Sequence, residues 1–183
     1  MLPTNFNFYI CGKDELCYHE NKDLTHFIGF THPNNDDVAD YSNFKLKPTV
    51  FNVHDVYDNR YNHLGIELKW PDEKLIEEII QIGISIKEEI LKQNKVALLV
   101  HCAAGISRST ACAYIILNVI LGEWQEREAL SEVMNRRPIA HLNPLMVSLG
   151  DKLLGRKFKM IAPLKHCVDW NRGREDSGSP LLF

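Results

Sequence analysis

The stretch Val96-Ala97-Leu98-Leu99-Val100-His101-Cys102-Ala103-Ala104-Gly105-Ile106-Ser107-Arg108-Ser109 decides how the rest of the chain is read. An apolar run ends in a histidine and a cysteine, small residues follow, and the helix-like Thr110-Ala111-Cys112-Ala113-Tyr114-Ile115-Ile116-Leu117 comes next. That order is strand, short loop, helix. A cysteine at the carboxyl end of a strand, with small residues and then an arginine at a helix start, makes a cup of backbone N–H groups with a thiol at its base. Such cups bind anions. The helix N-terminus, the converging amides of Ala103, Ala104, Gly105, Ile106 and Ser107, and the Arg108 guanidinium all favour the thiolate, so Cys102 is expected to be a nucleophile. Gly105 suits a turn that needs positive φ or a close backbone approach. Arg108 offers a planar fork for two oxygens of a phosphoryl group, which lysine lacks. Ser109 offers a hydroxyl that can stabilise Cys102 as a leaving group.

The string His101-Cys102-Ala103-Ala104-Gly105-Ile106-Ser107-Arg108-Ser109 resembles the signature of the cysteine-dependent protein tyrosine phosphatases, and looks most like their dual-specificity branch. The resemblance implies a phosphomonoester hydrolase working in two steps. Cys102 attacks phosphorus to give a phosphocysteine, Arg108 and the loop amides hold the phosphoryl oxygens, and an aspartic acid protonates the leaving group and then activates water. It implies no metal and no cofactor, a phosphorylated protein as partner, and His101 as a residue that orients the loop. An α/β fold with a mainly parallel central sheet of about four strands flanked by helices goes with it.

Composition agrees with that class. A chain of 183 residues suffices for one α/β domain with a core. With 21 basic and 24 acidic residues the net charge is −3, which gives no general attraction to nucleic acid or to an anionic membrane, so any phosphate affinity must be local. The five cysteines, Cys11, Cys17, Cys102, Cys112 and Cys167, are odd in number and irregularly spaced. They argue against a disulfide framework and for a reducing compartment. The longest apolar run, Ala111 to Leu121, is too short to span a bilayer, and the start lacks a secretory pattern. A cytoplasmic protein without membrane insertion is expected.

Working outward, Asn5 to Ile10 alternates as a strand, Lys13 to Tyr18 reads as a short helix, and Thr25 to Phe30 and Thr49 to Val53 read as further strands. From Asp72 to Lys92 an amphipathic helix places Leu75, Ile79, Ile82, Ile86 and Ile90 on one face. The helix after the cup is apolar nearly all round and stops at Gly122. Trp124 to Asn135 is a further helix, and Asn143-Pro144 caps a last one running to about Leu154. The expected domain therefore covers residues 1–155. Residues 156–183 are expected to form a basic and then polar tail, with Arg172 to Pro180 mobile.

Two aspartates compete as the acid. Trp70-Pro71-Asp72 reproduces the acid-loop letters of the phosphotyrosine-specific branch, about 30 residues before Cys102, a spacing close to that branch's own. Asp72, however, directly precedes an amphipathic helix, where a carboxylate accepts backbone N–H groups and is held as the anion. A general acid needs its proton. Asp55 ends a strand in Val53-His54-Asp55, parallel to Val100-His101-Cys102, so both side chains would reach the same sheet edge. Leu149 to Arg156, following Arg137-Pro138 and Asn143, resembles short bacterial members of the superfamily in which a His-Asp pair closes the corresponding strand. Asp55 is preferred and Asp72 stays open as the alternative.

Arg137-Pro138-Ile139-Ala140-His141-Leu142-Asn143 resembles a dual-specificity motif, with Leu142 where proline is usual. The resemblance implies that Asn143 supports the phosphate loop, a role compatible with capping a helix. His54, His63 and His141 lack metal-ligand spacing. Tyr41, Phe44, Tyr57 and Tyr61 are placed to wall a pocket or to pack. Cys112 is read as core, and Cys11 or Cys17 as thiols that could pair with Cys102 on oxidation. No stretch matches the tyrosine-recognition loop of the phosphotyrosine-specific branch, which leaves strict phosphotyrosine specificity open. The cup carries no lysine, so a phosphoinositide headgroup ranks behind phosphoprotein. A phosphopeptide-binding module without turnover is the third alternative.

Overall fold

The computed structural model describes residues 1–33, 39–57 and 67–166. Tyr61, His63, Cys167 and the Arg172 to Pro180 tail lie outside the described residues. Four strands, β1 (Phe6–Gly12), β2 (His26–Thr31), β3 (Thr49–Asn52) and β4 (Val96–Cys102), form one all-parallel sheet in the order β1-β4-β2-β3. The register places Gly12 beside Cys102 and Gly29 beside His101. The carboxyl ends of β1, β2 and β4 thus converge on the start of the cup.

Side-chain alternation along the strands explains why both faces are buried. Phe6, Phe8 and Ile10 of β1, Ile28 and Phe30 of β2, and Leu98, Val100 and Cys102 of β4 face a large core. That core is closed by helices α1 (Glu73–Leu91), α2 (Arg108–Leu121), α3 (Glu126–Arg136) and α4 (Pro144–Leu153). Cys11, Phe27 and Leu99 face the other way into a smaller cluster with Leu16, Ala39 and Phe44. Among the described residues, no long helix contributes to this second cluster. Leu16, from a short 3₁₀ segment at Lys13–His19, and the chain at 39–46 supply its cover instead. Period-2 burial on both sides is what a parallel sheet requires.

Helix α1 begins where the sequence indicates, because Asp72 caps it by accepting the Leu75 N–H at 2.8 Å. Its buried face is Leu75, Ile76, Ile79, Ile80, Gly83, Ile86 and Ile90, with Ile82 only partly covered. Gly83 occupies the crossing point with α2, where a Cβ would sit 3.2 Å from Val119 Cβ. Helix α2 has every residue from Arg108 to Ile120 buried, as its apolar sequence predicts. Gly122 ends it at φ 86°.

Core packing continues past residue 155, into the segment expected from sequence to be tail. Arg156 is buried, and Met160, Ile161 and Leu164 join the large core. The fixing residue is Asp151, whose carboxylate accepts the Phe158 N–H at 2.7 Å and the Met160 N–H at 2.9 Å. Tyr114 donates its hydroxyl to Met160 O at 3.0 Å, and Arg156 donates to Asn118 O at 2.9 Å. This segment lacks periodicity because side-chain bonds rather than a helix ladder satisfy its backbone.

Candidate active site

The cup lies between β4 and α2, and its shape follows from where its carbonyls go. Ala103 O accepts the Lys13 N–H at 2.9 Å. Ala104 O and Gly105 O accept from Arg137 Nη2 and Nε at 2.9 and 3.1 Å. Ile106 O accepts the His141 N–H at 2.9 Å, and Ser107 O accepts the Ala111 N–H at 3.0 Å and the Asn143 N–H at 3.3 Å. Each carbonyl from 103 to 107 is therefore drawn outward. Because a trans peptide points its C=O and the next N–H in opposite directions, the N–H groups of residues 104–108 turn inward. Gly105 makes the tightest part of the turn at φ 70°. A Cβ there would lie 2.5 Å from both Cys11 C and Gly12 N.

Arg137 acts on the loop from outside. Besides its two loop carbonyls it holds Glu15 through Nη1 at 2.9 Å, and Glu15 in turn accepts the Gly12 N–H at 2.7 Å. Arg137 is the first bond's cause of a Glu15 carboxyl held below its usual range, with the Gly12 N–H next. Cup, β1 end and the turn after α3 are thereby tied together.

At the base, Cys102 Sγ lies 3.2 Å from Ser109 Oγ, and both residues are buried. His101 points to the opposite face of the sheet, where a 2.8 Å hydrogen bond joins its Nε2 to the Tyr41 hydroxyl. Burial pushes His101 down to about 4, with the neighbouring Arg108 charge acting the same way and a Cys102 backbone bond opposing it. Burial likewise pushes Tyr41 up to about 12. Gly29 leaves the room for this pair, since a Cβ there would be 2.6 Å from His101 Nε2.

The two candidate acids separate completely. Asp55 stands over the cup: its Oδ1 accepts Ser107 Oγ–H at 2.7 Å and Asn143 Nδ2–H at 2.8 Å, while Oδ2 lies 3.7 Å from Arg108 Nε. Asp72 is an exposed N-cap committed to α1. Asn143 does three things at once. Its side chain caps α4 through the Met146 N–H at 3.1 Å, its amide holds Asp55, and its backbone N–H meets the loop.

Arg108 is 1 % exposed and its guanidinium is held at the ends of β2 and β3. Nη1 donates to Val53 O at 2.7 Å and to Thr31 O at 3.4 Å, and Nη2 donates to His32 Nε2 at 3.0 Å. Nε is buried without a hydrogen-bond partner. Sequence reasoning missed His32, since nothing in local sequence says which side chain will meet a buried arginine 76 residues away. Tyr41 was legible only as one of four aromatics, and Glu15 not at all. Cys11 and Cys112 are buried free thiols, and burial pushes Cys11 up to about 12 and Cys112 higher still.

Four parallel strands in this order, with a cysteine cup between the central strand and its helix, are the fold of the cysteine-dependent dual-specificity phosphatases. No protein-family model and no curated protein sequence matches the chain. Solved structures do. The human tyrosine phosphatase-like serine/threonine/tyrosine-interacting protein is 19% identical with TM-score 0.53, over 81% of this chain and 87% of that one. DUSP15 is 21% identical with TM-score 0.51, over 96% and 93%. PTPMT1, solved in complex with PI(5)P, is 14% identical with TM-score 0.50, over 79% and 83%. At these identities the likeness is one of fold. Among the described residues, no helix is long and apolar enough to cross a membrane.

Proposed function

We propose that the chain is a phosphomonoester hydrolase acting on phosphorylated protein through a phosphocysteine on Cys102. The observation that carries the reading is the set of outward-held carbonyls at 103–107, which leaves a ring of N–H donors above a thiol and beside a buried arginine. In the first step the Cys102 thiolate forms the S–P bond as the P–O bond to the leaving group breaks. Asp55, protonated at Oδ2, gives its proton to the departing oxygen. In the second step water attacks phosphorus, Asp55 takes its proton, and the S–P bond breaks with the electron pair returning to sulfur. The Ser109 hydroxyl at 3.2 Å then donates to the departing thiolate. Loop amides and the unspent Arg108 donors hold the equatorial oxygens, whose charge is greatest in the transition states.

The cup's side chains at Ala103, Ala104 and Ile106 are neutral. That supports a single phosphoryl group on a protein side chain ahead of a multiply charged headgroup. The test is hydrolysis of an aryl phosphate, of phosphopeptides carrying phosphotyrosine or phosphoserine/threonine, and of a phosphoinositide, with Cys102→Ser as blank. Turnover of phosphopeptide that vanishes in Cys102→Ser supports the reading. Preference for the phosphoinositide, of the kind PTPMT1 was solved with, would move the substrate to lipid. Phosphopeptide binding without turnover by wild type would make the chain a binding module, and substantial activity in Cys102→Ser would refute the covalent mechanism.

A further inference from the structure

We propose that His32 is a positioning residue for Arg108, holding the phosphate-binding guanidinium ready before substrate arrives. The inference rests on the cup being a phosphate site. Arginine has donors only, so the 3.0 Å contact between Arg108 Nη2 and His32 Nε2 can exist only with Nε2 unprotonated and accepting. The ring is thus neutral, with its proton on Nδ1. Surrounding charges favour that state: burial lowers the His32 pKa first, Arg108 and then His54 lower it further, and Asp55 opposes them weakly. The His54 ring lies tilted beside the His32 ring, with centroids 5.8 Å apart.

The donor count shows what this contact achieves. A guanidinium has five N–H groups. Val53 O and Thr31 O take the two on Nη1, His32 takes one on Nη2, and Nε together with the second Nη2 N–H remain. Without His32 the hydrogen bonds of the guanidinium, among the described residues, go from one nitrogen to two carbonyls, with the Asp55 carboxylate only at ion-pair distance from Nε at 3.7 Å. With it, two nitrogens are held and the remaining donors keep one orientation beside the cup. His32 also lines a cleft at the edge of the cup with Lys13, Thr31, His101 and Ala103.

Holding a binding group in its competent orientation raises apparent affinity by the competent fraction, and adds little once phosphoryl oxygens themselves hold the arginine. The effect should therefore fall on KM and on phosphate affinity and spare kcat. The experiment compares His32→Phe, which keeps a ring against His54 without an acceptor, with His32→Gln, whose amide oxygen reaches about as far as Nε2. Inorganic phosphate binding is followed by calorimetry, and KM and kcat by aryl phosphate hydrolysis. His32→Phe is expected to weaken phosphate binding and raise KM about tenfold with kcat within about twofold, and His32→Gln to recover most of the loss. Wild-type phosphate affinity in His32→Phe overturns the proposal. So does a His32→Gln variant that melts like wild type yet binds as poorly as His32→Phe. If wild type binds phosphate but turns nothing over, the hydrolase reading fails while the phosphate arm still decides on His32. If wild type binds no phosphate, both fall.

Discussion

Asn143 Nδ2 donates to Asp55 Oδ1 at 2.8 Å across 88 residues of chain, and Ser107 of the cup donates to the same oxygen at 2.7 Å. With Oδ1 occupied twice, Oδ2 is the oxygen that the proposed acid role uses. Asn143 is itself held by the Met146 N–H of α4, so the helix that follows the loop fixes the Asp55 carboxylate. The acid role then makes a direct kinetic prediction. Asp55→Asn should lower kcat on an aryl phosphate by about 10²-fold or more and abolish the basic limb of the pH–rate profile. Asp72→Asn still caps α1 and should stay within about twofold of wild type. Loss of the basic limb in Asp72→Asn alone would reassign the acid.

Ser109 should matter after the first chemical step. Its hydroxyl faces Cys102 Sγ, so Ser109→Ala is expected to form phosphocysteine normally and hydrolyse it slowly. Rapid-quench kinetics with a chromogenic aryl phosphate should show a burst equal to the enzyme concentration followed by a steady rate about tenfold or more below wild type. Equal slowing of the burst itself would assign Ser109 to packing.

The cup depends on its external clamp. Arg137→Ala frees two loop carbonyls and leaves Glu15 without its guanidinium. Phosphate affinity should fall about tenfold or more, because amides that wander no longer converge. Arg137→Lys, which cannot span two carbonyls and a carboxylate with one ammonium, should recover only part of it. Calorimetry with inorganic phosphate measures both.

At Gly105 the constraint is steric and conformational together. Gly105→Ala must accept φ 70° and a Cβ 2.5 Å from the β1 backbone. A loss of about 2–4 kcal/mol follows from the left-handed penalty and overpacking combined. Urea denaturation reads it, and phosphate binding should be lost in the fraction that remains folded.

His101 makes stability depend on pH with a definite sign. Its folded pKa of about 4 lies below the unfolded value near 6.5, so between those limits the unfolded chain binds more protons. Stability is fully present above pH 6.5 and falls as pH drops through that window, by up to about 3 kcal/mol at its lower end. Denaturation midpoints at pH 7 and pH 5 should differ more in wild type than in His101→Gln, which has no proton to gain.

From sequence alone came the element order, the parallel sheet, the loop of Cys102 and Arg108 between a strand and a helix, and the preference for Asp55 over Asp72 as candidate acid. These are local matters: strand alternation, the amphipathic period of α1, the apolar wrap of α2, and a loop whose residue types sit within eight positions of one another. The packing of residues 156–164 was not legible there, because that segment is fixed by the buried Asp151 carboxylate and the Tyr114 hydroxyl rather than by any periodicity. Geometry then gave Asp55 and Asp72 different surroundings. One carboxylate meets Ser107, Asn143 and Arg108 from three distant parts of the chain, and the other is spent on the start of its own helix. The neighbours of Arg108 were equally a tertiary matter, since β2 and β3 bring His32 and Val53 O to a guanidinium more than 50 residues away. Periodicity and capping act through neighbours in sequence. Hydrogen bonds to a buried arginine or to the Asp55 carboxylate act through neighbours in space, and only the packed sheet edge brings those together.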